Sequence, residues 1–269
     1  MISKIKKLIP ASIGRKIKVI WQRIQALYYF GNKYECPFCG GTFRKLLPGG
    51  TDLSVIQEKQ IIGAGRRDNC VCPRCYSTDR DRLIYLYLKN ISPIFTENLD
   101  VIHIAPENSL QKLLTSLKNI NYKTGIKYHE GIYYSEDVSL VDITELSFKD
   151  ESFNVIICNH VLEHIIDDNK AMSELFRVLK PGGWTILQVP ISNILDKTYE
   201  DPNITDPKER EIHFGQFDHV RIYGRDYINR LEKVGFNVKE VNLAAELKEN
   251  DIGKYAINNN EILFIASKD

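Results

Sequence analysis

Apolar runs alternate with helical patterns in the second half of the chain and predict strands and helices in turn. Residues 154–159 form a short apolar run rich in β-branched residues, and residues 184–189 form another, each long enough for one buried strand. Between them, Ala171 and Leu175 belong to a set with helical spacing, and the Lys-Pro-Gly-Gly sequence at 180–183 ends that helix. A strand, a helix and a second strand in this order predict the βαβ unit of a parallel sheet.

The same pattern extends the predicted sheet on both sides of this unit. Further strands are predicted at residues 99–105, 122–127, 138–141, 236–243 and 261–267, with a helix at 107–118. This alternation indicates an α/β fold with a mostly parallel sheet. Ligands bind beyond the carboxyl ends of parallel strands, so Asn159, His160 and Glu163, at the end of the 154–159 strand, mark the predicted binding edge.

A basic segment precedes the α/β region, and we treat residues 1–33 as a separate unit. Residues 1–34 hold eight Lys or Arg residues and no acid, whereas the rest of the chain has 28 basic and 35 acidic residues. Pro10 separates two helical patterns, of which the second has one apolar face. That face consists of Ile13, Ile17, Ile20, Trp21, Ile24 and Leu27. Such a helix packs on a partner or on its own domain, or lies on an anionic membrane surface, so these alternatives remain open for residues 1–30; nucleic-acid binding is disfavoured because few aromatic residues are interleaved.

Two Cys-Pro-x-Cys pairs predict a metal centre within residues 34–95. The predicted ligands are Cys36, Cys39, Cys72 and Cys75. Four thiolates close the tetrahedral coordination of a structural Zn²⁺ ion, so we predict a zinc-ribbon-like module in which zinc supports folding and not chemistry. Cys70 is a competing ligand. Tyr76 stands where Gly40 stands in the first pair, so we expect some distortion of the second knuckle.

Cysteine usage and hydropathy also bear on the compartment. Six cysteines arranged for a metal, without a secretory signal pattern, indicate the reducing cytoplasm. No run of about 18 apolar residues is present, so we predict no spanning helix. We therefore expect a cytoplasmic protein, with peripheral contact at the inner face of the membrane as the alternative.

Three stretches of the chain carry a family resemblance. They are Asp-Ile-Thr-Glu-Leu-Ser-Phe-Lys-Asp-Glu-Ser-Phe-Asn at 142–154, Cys-Asn-His-Val-Leu-Glu-His at 158–164 and Arg-Val-Leu-Lys-Pro-Gly-Gly at 177–183. The set resembles the class I S-adenosylmethionine-dependent methyltransferases with a type 11-like domain, above all bacterial members with an N-terminal zinc-ribbon-like segment. The resemblance covers residues 34–238. It implies a Rossmann-like methyltransferase domain at 96–269, a mostly parallel seven-stranded sheet ending in an antiparallel pair, and S-adenosyl-L-methionine as cofactor.

The resemblance also implies where the cofactor binds. The implied residues are His103, Ala105, Pro106, Glu107, Asp142, Ile143, Asn159 and His160. Family members have a glycine-rich turn after the first strand, but the three glycine positions hold Ala105, Glu107 and Ser109 here. We expect Ala105 to allow a close approach and Glu107 to receive the cofactor's ammonium group. The ribose-binding acid of the family falls at Ile126, and Glu130 is the candidate substitute.

Residues 191–223 form a long polar connection, which we interpret as a lid insertion that shapes the acceptor pocket. A packed structural excursion is the alternative. His219, with Asp218 beside it in sequence, is the predicted catalytic base, because an imidazole accepts a proton from an oxygen nucleophile near neutral pH; His160 competes for this role. The predicted substrate-binding residues are Arg221, for an anionic part of the acceptor, and Tyr223.

The predicted function is methyl transfer to a small molecule or glycan, for example a sugar or envelope-polysaccharide hydroxyl. The altered glycine turn and ribose position keep a second class open, a catalytically silent scaffold that binds a partner or a membrane. A nicotinamide dehydrogenase is disfavoured because its G-x-G-x-x-G turn is missing. Residues 160–164 also match the H-x-x-E-H pattern of inverted zinc proteases, but no full helical turn precedes them, so we expect His164 to be satisfied locally rather than to bind a metal.

Overall fold

The structure is a computed structural model that describes residues 11–127, 138–247 and 249–269, so the predictions for residues 2–9 and for Glu130 lie outside the described residues. The helices are α1 (Ala11–Tyr28), α2 (Ser54–Glu58), α3 (Asp79–Asn90), α4 (Asn108–Ser116), α5 (Asp168–Val178), α6 (Pro207–Phe214), α7 (Tyr227–Val234), α8 (Leu243–Glu246) and α9 (Glu249–Tyr255). The strands are β1 (Phe30–Glu35), β2 (Thr42–Phe43), β3 (Leu47–Gly49), β4 (Ile61–Ile62), β5 (Arg67–Val71), β6 (Leu99–Ile104), β7 (Ile120–Ile126), β8 (Val138–Leu140), β9 (Phe153–Asn159), β10 (Leu179–Gln188), β11 (Ile191–Ser192), β12 (Tyr199–Glu200), β13 (Arg221–Ile222), β14 (Asn237–Val241) and β15 (Leu263–Ser267). A 3₁₀ turn spans Leu162–His164.

Seven strands form the central sheet, in the order β14–β15–β10–β9–β6–β7–β8. Neighbouring strands pair in parallel except at β15, which is antiparallel to both β10 and β14. The predicted Rossmann-like class I fold is therefore confirmed, with the antiparallel pair at its end. The apolar run of β9 is buried as a strand covered on both faces requires, and Val155, Ile156 and Ile157 expose no surface.

The strand order reverses between β6 and β9, and this reversal positions the candidate site. From β6 the sheet continues through β7 toward one edge, whereas from β9 it continues through β10 toward the other. The connections diverge at this point and leave a crevice beyond the carboxyl ends of β6 and β9, where open α/β sheets bind their ligands.

The cysteine-rich module comes before the sheet and is joined to it through α3. Strand β1 pairs with β2, and β3 pairs with β5. Thr78 and Asp81 form a reciprocal capping box at the start of α3, which satisfies two backbone donors of the first turn. Arg82 of this helix is fully buried and donates to four backbone carbonyls, those of Cys70, Ser77, Tyr255 and Ala256. The module is thereby connected to the segment just before β15.

The insertion at 191–223 packs against the same module. Strand β11 pairs with β4 of the module, and β12 pairs with β13 within the insertion. Phe214 and Ile222 are buried in one apolar cluster with Val55, Ile56 and Ile61. Insertion and module therefore form a common wall beside the end of β9.

Helix α1 exposes its predicted apolar face. Ile17, Ile20, Trp21 and Ile24 are each more than half exposed, and Leu27 is 78% exposed. This face is not packed on the part of the chain that the structure describes, so packing on the domain does not account for these side chains. Within the described residues, no helix has the length and apolar character to cross a bilayer.

Candidate functional site

The chain turns sharply at the carboxyl ends of β6 and β9. Ala105 follows β6 with a φ of 49°, and His160 follows β9 with a φ of 52°, so both residues adopt the left-handed conformation. That conformation costs a residue with a Cβ atom about 1–2 kcal/mol. Ala105 therefore retains a left-handed turn where the family places glycine, and strain of this kind is concentrated at binding and catalytic sites.

Three predicted cofactor residues form one hydrogen-bonded network at this edge. Glu107 Oε2 lies 2.9 Å from His103 Nε2, and its Oε1 accepts a hydrogen bond of 3.1 Å from the Asn159 amide. A carboxylate only accepts, so Nε2 of His103 donates to it; in the neutral ring, Nδ1 then accepts from the Tyr122 hydroxyl at 3.0 Å. The network fixes the Glu107 carboxylate between the ends of β6 and β9.

The electrostatics of this network keep Glu107 ionised. Burial opposes the charged form, but the hydrogen bond from His103 and the positive charge of Arg80 lower the pKa of the Glu107 carboxyl below its ordinary value. The side chain keeps 17% of its surface exposed. The edge therefore presents a negative charge that a cationic group of a ligand can reach.

The other predicted cofactor residues lie at the same end of the sheet, with different exposure. Asp142 is exposed, and its Oδ1 accepts from the backbone N–H and the hydroxyl of Thr144 at 2.9 and 2.7 Å, which lowers the pKa of the carboxyl. Ile143 is buried, and Pro106 is half-buried. Their roles in cofactor binding stay predictions.

A cavity of about 350 Å³ opens next to this edge, between the module, the insertion and the end of β9. The module contributes Gly63 and Arg80, the insertion contributes Phe214 and His219, and His160 lines it from the sheet. Because His160 follows Asn159 directly, the cavity and the cofactor edge are neighbours. The insertion thus forms one wall of this cavity, and its role as a lid over an acceptor stays a prediction.

Glu163 lies at the base of this cavity among three imidazoles. Its side chain is 1% exposed, and its Oε1 is 3.4 Å from His160 Nδ1 and 4.0 Å from Nε2 of both His164 and His219. Neither carboxylate oxygen has a hydrogen-bond partner in the described part of the chain. The 3₁₀ turn Leu162–His164 produces this cluster by directing Glu163 and His164 to the same place.

Burial shifts every titratable group of this cluster toward its neutral form. It raises the pKa of Glu163 to about 8. Burial and the neighbouring His164 lower the pKa of His219 to about 4, and burial also lowers the pKa of His164. Burial and the adjacent Arg80 lower the pKa of His160 well below its usual value. All three imidazoles are therefore unprotonated at neutral pH and have a lone pair to offer.

The two predicted bases, His219 and His160, differ in the surroundings of their Nε2 atoms. His219 is buried and lines the cavity, with Nδ1 3.2 Å from the Phe214 carbonyl oxygen and Nε2 toward Glu163. Nε2 of His160 is hydrogen-bonded to the Arg80 guanidinium. Asp218 does not contact His219; its carboxylate lies 3.3 Å from Nδ1 of His164. His164 is therefore oriented by Asp218 toward the cluster and is not merely a residue at a helix start.

The two predicted substrate-binding residues require correction. Arg221 is buried, and its guanidinium donates to Glu200 and to the carbonyls of Leu162, Ile165 and Ile166. Because these partners lie within the protein, Arg221 does not form the predicted bidentate hydrogen bonds to an acceptor. It instead holds the turn that carries Glu163. Tyr223 exposes no surface and donates its hydroxyl to Asp168 at 2.8 Å, so it belongs to the core.

Sequence reasoning placed Glu163 at the binding edge without giving it a role, and it missed Arg80 and His164 as cavity residues. The available signal was the spacing within 160–164, which was tested against a helix and rejected. A 3₁₀ turn gathers the same side chains with three residues per turn. Arg80 carried no comparable signal, because its partner His160 is 80 positions away.

The four predicted zinc ligands lie together. All four Sγ atoms are within 4.8 Å of one another; Cys36 lies 3.5 Å from Cys75, and Cys39 lies 3.7 Å from Cys72. Tetrahedral Zn–S bonds of about 2.3 Å require sulfur separations of about 3.8 Å, so this donor set fits one Zn²⁺ ion.

The second knuckle is not distorted, and the spare cysteine does not compete. Tyr76 has a φ of 62°, next to 63° for Gly40, and the backbone N–H of each bonds to the carbonyl of the first cysteine in its pair. The expected distortion is therefore wrong, because a tyrosine adopts the left-handed turn. Cys70 is directed elsewhere and donates to Asp79 at 3.1 Å.

Comparison with known proteins adds to this geometry. Residues 115–187 match the methyltransferase domain family. The ubiquinone/menaquinone biosynthesis C-methyltransferase UbiE of Vibrio campbellii is 41% identical over 59 residues, which are 21% of this chain and 23% of that protein. The sterol 24-C-methyltransferase of Yarrowia lipolytica is 30% identical over 142 residues, or 49% of this chain and 36% of that protein. The chain thus spans less than half the length of these curated relatives.

Solved structures with similar folds are distant in sequence. A SAM-dependent methyltransferase from Archaeoglobus fulgidus aligns with a TM-score of 0.46 at 15% identity, over 72% of this chain and 96% of that one. The family match begins in α4 and ends in β10, so it includes β9 but neither β6 nor the cysteine pairs.

Proposed function

We propose that this chain is an S-adenosylmethionine-dependent methyltransferase, because residues 115–187 match the methyltransferase domain family, within the stretch that carries the predicted resemblance. The observation that carries the proposal is the network of His103, Glu107 and Asn159, because it holds an ionised carboxylate at the crevice between β6 and β9. A carboxylate there is suited to the ammonium group of the cofactor's methionine part. The left-handed turn at Ala105 supports the same site by retaining the backbone course of a glycine turn.

The acceptor, on this proposal, binds in the cavity beside His160. Methyl transfer requires the nucleophile to lie in line with the activated methyl group, and such alignment is worth about 7–11 kcal/mol. Imidazole, guanidinium and carboxyl groups line the cavity and favour a polar acceptor that carries a hydroxyl group, such as a sugar or an envelope polysaccharide. His219 and His160 remain the two candidate bases, and His219 is the better placed because its Nε2 has no hydrogen-bond donor on it.

We also propose that the four-cysteine cluster holds one structural Zn²⁺ ion. The sulfur separations and the two matching knuckles support it. Metal analysis of reduced protein is expected to give zinc bound by four thiolates, and Cys39→Ser is expected to unfold the module, since zinc binding and folding are coupled in such sites. Cys70→Ser is the matched control and is expected to retain the metal. Loss of zinc in the Cys70 variant but not in the Cys39 variant would contradict the assignment.

The exposed face of α1 supports peripheral contact with an anionic membrane surface. Apolar side chains from Ile17 to Leu27 are exposed, and the sequence of this helix holds Arg15, Lys16, Lys18 and Arg23 with no acid. Each basic residue near such a surface contributes about 1 kcal/mol. Sedimentation with vesicles that contain phosphatidylserine tests this: Trp21→Ser together with Ile24→Ser is expected to abolish binding. Equal sedimentation with neutral vesicles would oppose an electrostatic contribution.

Calorimetry with S-adenosylhomocysteine and with NAD⁺ tests the function. We expect the first ligand to bind and the second not to bind. Glu107→Gln is expected to weaken the binding of S-adenosylhomocysteine by about 10–100-fold, because a hydrogen bond to a charged group is worth about 1.5–3 kcal/mol. Glu97→Gln, an exposed change two residues before β6, is the control and is expected to bind S-adenosylhomocysteine as the wild type does.

Two outcomes separate the rival functions. Binding of NAD⁺ alone would refute the methyltransferase proposal in favour of a dehydrogenase. Transfer of a radiolabelled methyl group into a fractionated lysate then distinguishes an enzyme from a silent scaffold. A chain that binds S-adenosylhomocysteine but labels no fraction would support the scaffold.

A further inference from the structure

The cluster at the base of the cavity contains the ligand atoms of a metal site. One carboxylate oxygen of Glu163 and one ring nitrogen each of His164 and His219 all lie within 4.8 Å of one another. The Glu163 side chain is 99% buried, and neither of its oxygens has a hydrogen-bond partner among the described residues. Buried polar groups in folded proteins almost always have a partner, so a carboxyl with neither oxygen satisfied calls for an explanation, of which a bound ion is one.

The orientation of both imidazoles is the one that metal ligands adopt. Nδ1 of His219 is hydrogen-bonded to the Phe214 carbonyl oxygen, and Nδ1 of His164 lies against the Asp218 carboxylate. Each of these partners is an acceptor, so Nδ1 carries the proton and Nε2 carries the lone pair. Both Nε2 atoms are directed at Glu163, at 4.0 Å. Metal-binding histidines are typically held in this way, with the second nitrogen donating to a carbonyl or a carboxylate.

The distances are close to those of an occupied site. Bonds of about 2.1 Å from zinc to nitrogen and oxygen place neighbouring ligand atoms about 3.4 Å apart in a tetrahedron. The two separations of 4.0 Å exceed this by roughly half an ångström, which small side-chain rotations supply. An ordinary hydrogen-bonded cluster is the competing explanation, with the neutral Glu163 carboxyl donating to Nε2 of His164 or His219, but both separations are 4.0 Å and too long for a hydrogen bond. His160 Nδ1, at 3.4 Å, does not meet hydrogen-bond geometry.

We propose that Glu163, His164 and His219 bind a divalent transition-metal ion, of the class of Zn²⁺, that faces the acceptor cavity. Two nitrogens and one carboxylate leave at least one coordination position open, which is typical of catalytic and not of structural sites. His160 lies beside the cluster and is held by Arg80, so it shapes the approach to the metal. The donor set of nitrogen and oxygen distinguishes this site from the four thiolates of the module.

The role of this metal rests on the proposed function. An ion held by Glu163, His164 and His219 would supply Lewis-acid chemistry: it would lower the pKa of an acceptor hydroxyl, whose proton would pass to solvent. The acceptor oxygen would form its bond to the methyl carbon as the bond from that carbon to the sulfonium breaks, leaving S-adenosylhomocysteine as a neutral thioether. On this proposal His219 is a metal ligand that positions the acceptor and is not the base.

Titration of the full chain with Co²⁺ tests the site, with the module's zinc retained. Cobalt bound by nitrogen and oxygen gives d–d absorption without the charge-transfer band of a thiolate site. We expect one equivalent of this kind in the wild type and none in Glu163→Gln or His219→Ala. Asp218→Asn is expected to weaken the binding of Co²⁺ by about 10–100-fold, since this carboxylate does not bind the metal and only orients His164. Glu211→Gln, an exposed change on the insertion, is the matched control and is expected to bind as the wild type does.

The outcomes separate this proposal from the proposed function. Undiminished cobalt binding in both Glu163→Gln and His219→Ala, or a spectrum with thiolate bands alone, would overturn the site. S-Adenosylhomocysteine affinity is measured on the same samples and is expected to be unchanged in Glu163→Gln, which also shows that this variant folds. Cobalt binding without any S-adenosylhomocysteine binding in the wild type would leave the metal site standing and refute the methyltransferase.

Discussion

Two glutamates near the end of the same sheet have opposite surroundings. Glu107 follows a strand-end histidine by four positions, and each of its oxygens has a hydrogen-bond partner. Glu163 follows a strand-end histidine by three positions, is more deeply buried, and has a partner on neither oxygen. The difference indicates that the protein alone satisfies the Glu107 carboxylate, whereas it leaves the Glu163 carboxyl without a partner among the described residues.

The donors within reach explain this difference. His103 and Asn159 stand at the ends of adjacent strands, so the sheet itself brings two N–H groups to Glu107. Glu163 lies on a 3₁₀ turn whose neighbouring imidazoles use their N–H groups on Phe214 and Asp218. A third carboxylate, Asp79, belongs with Glu107, since it accepts from Arg67 at 2.6 and 3.0 Å and from Cys70.

Removing the partner of a satisfied, buried carboxylate is expected to have the largest effect. Arg67→Met leaves Asp79 buried without its cation, which typically costs about 3–5 kcal/mol in the free energy of unfolding. Denaturant unfolding of zinc-loaded protein measures it. Arg66→Met, an exposed neighbour, is the control and is expected to stay within about 0.5 kcal/mol of the wild type. The double variant Arg67→Met with Asp79→Asn is expected to recover part of the loss; no recovery would mean that the ion pair is not the cause.

Truncating Glu107 is expected to have the next largest effect on stability. Glu107→Ala leaves the Asn159 amide and the His103 ring without their acceptor, at about 1–3 kcal/mol for unsatisfied buried groups. Thermal unfolding without cofactor measures this, with Glu97→Ala as the exposed control. A Glu107 variant as stable as the control would show that the edge is not a preformed network and would remove the contrast with Glu163.

Acid is expected to remove the contribution of Asp79 gradually. Burial opposes its charge, but the hydrogen bonds and positive charge of Arg67 lower the pKa of the folded carboxyl below its unfolded value of 3.8. Between the two pKa values the unfolded state binds more protons, so the stabilisation is full above pH 3.8 and is lost as the pH falls through the folded pKa. The difference in unfolding free energy between wild type and Asp79→Asn is therefore expected to shrink below this pH. A constant difference from pH 7 to pH 2 would contradict the ion pair.

Local patterns predicted the sheet and the knuckles, because the information lies within a few neighbouring residues. The apolar run at 154–159 became β9, and the two Cys-Pro-x-Cys pairs formed matching turns. The left-handed conformation of Tyr76 and Ala105 was not predictable, since neither residue prefers it. There the surrounding fold overrides the local preference.

The site was less predictable, because its contacts join distant parts of the chain. Arg80 is hydrogen-bonded to His160, which is 80 residues away in the sequence, and Arg221 donates to the carbonyl of Leu162, which is 59 residues away. Sequence adjacency was a poor guide in one case: Asp218 stands next to His219 but contacts His164. The proximity of His103, Glu107 and Asn159 was more predictable, since these residues lie at strand ends that the sheet order brings together; their role in cofactor binding stays a prediction.

Glu163→Gln is expected to change the stability of the metal-free protein least. The direction of that change is informative, because it shows whether Glu163 has a partner. The amide has the same shape as the carboxyl group and removes no hydrogen bond, because Glu163 makes none within the described residues, so stability is expected to be unchanged or slightly higher. Zinc is expected to reverse the order: at 100 times the Kd a bound ion stabilises the wild type by about 2.7 kcal/mol and leaves the variant unaffected. Thermal unfolding of both proteins, with and without added Zn²⁺ after the module's site is filled, measures this reversal. A variant that is less stable than the wild type without added metal would show that Glu163 is already satisfied, and the contrast with Glu107 would then be wrong.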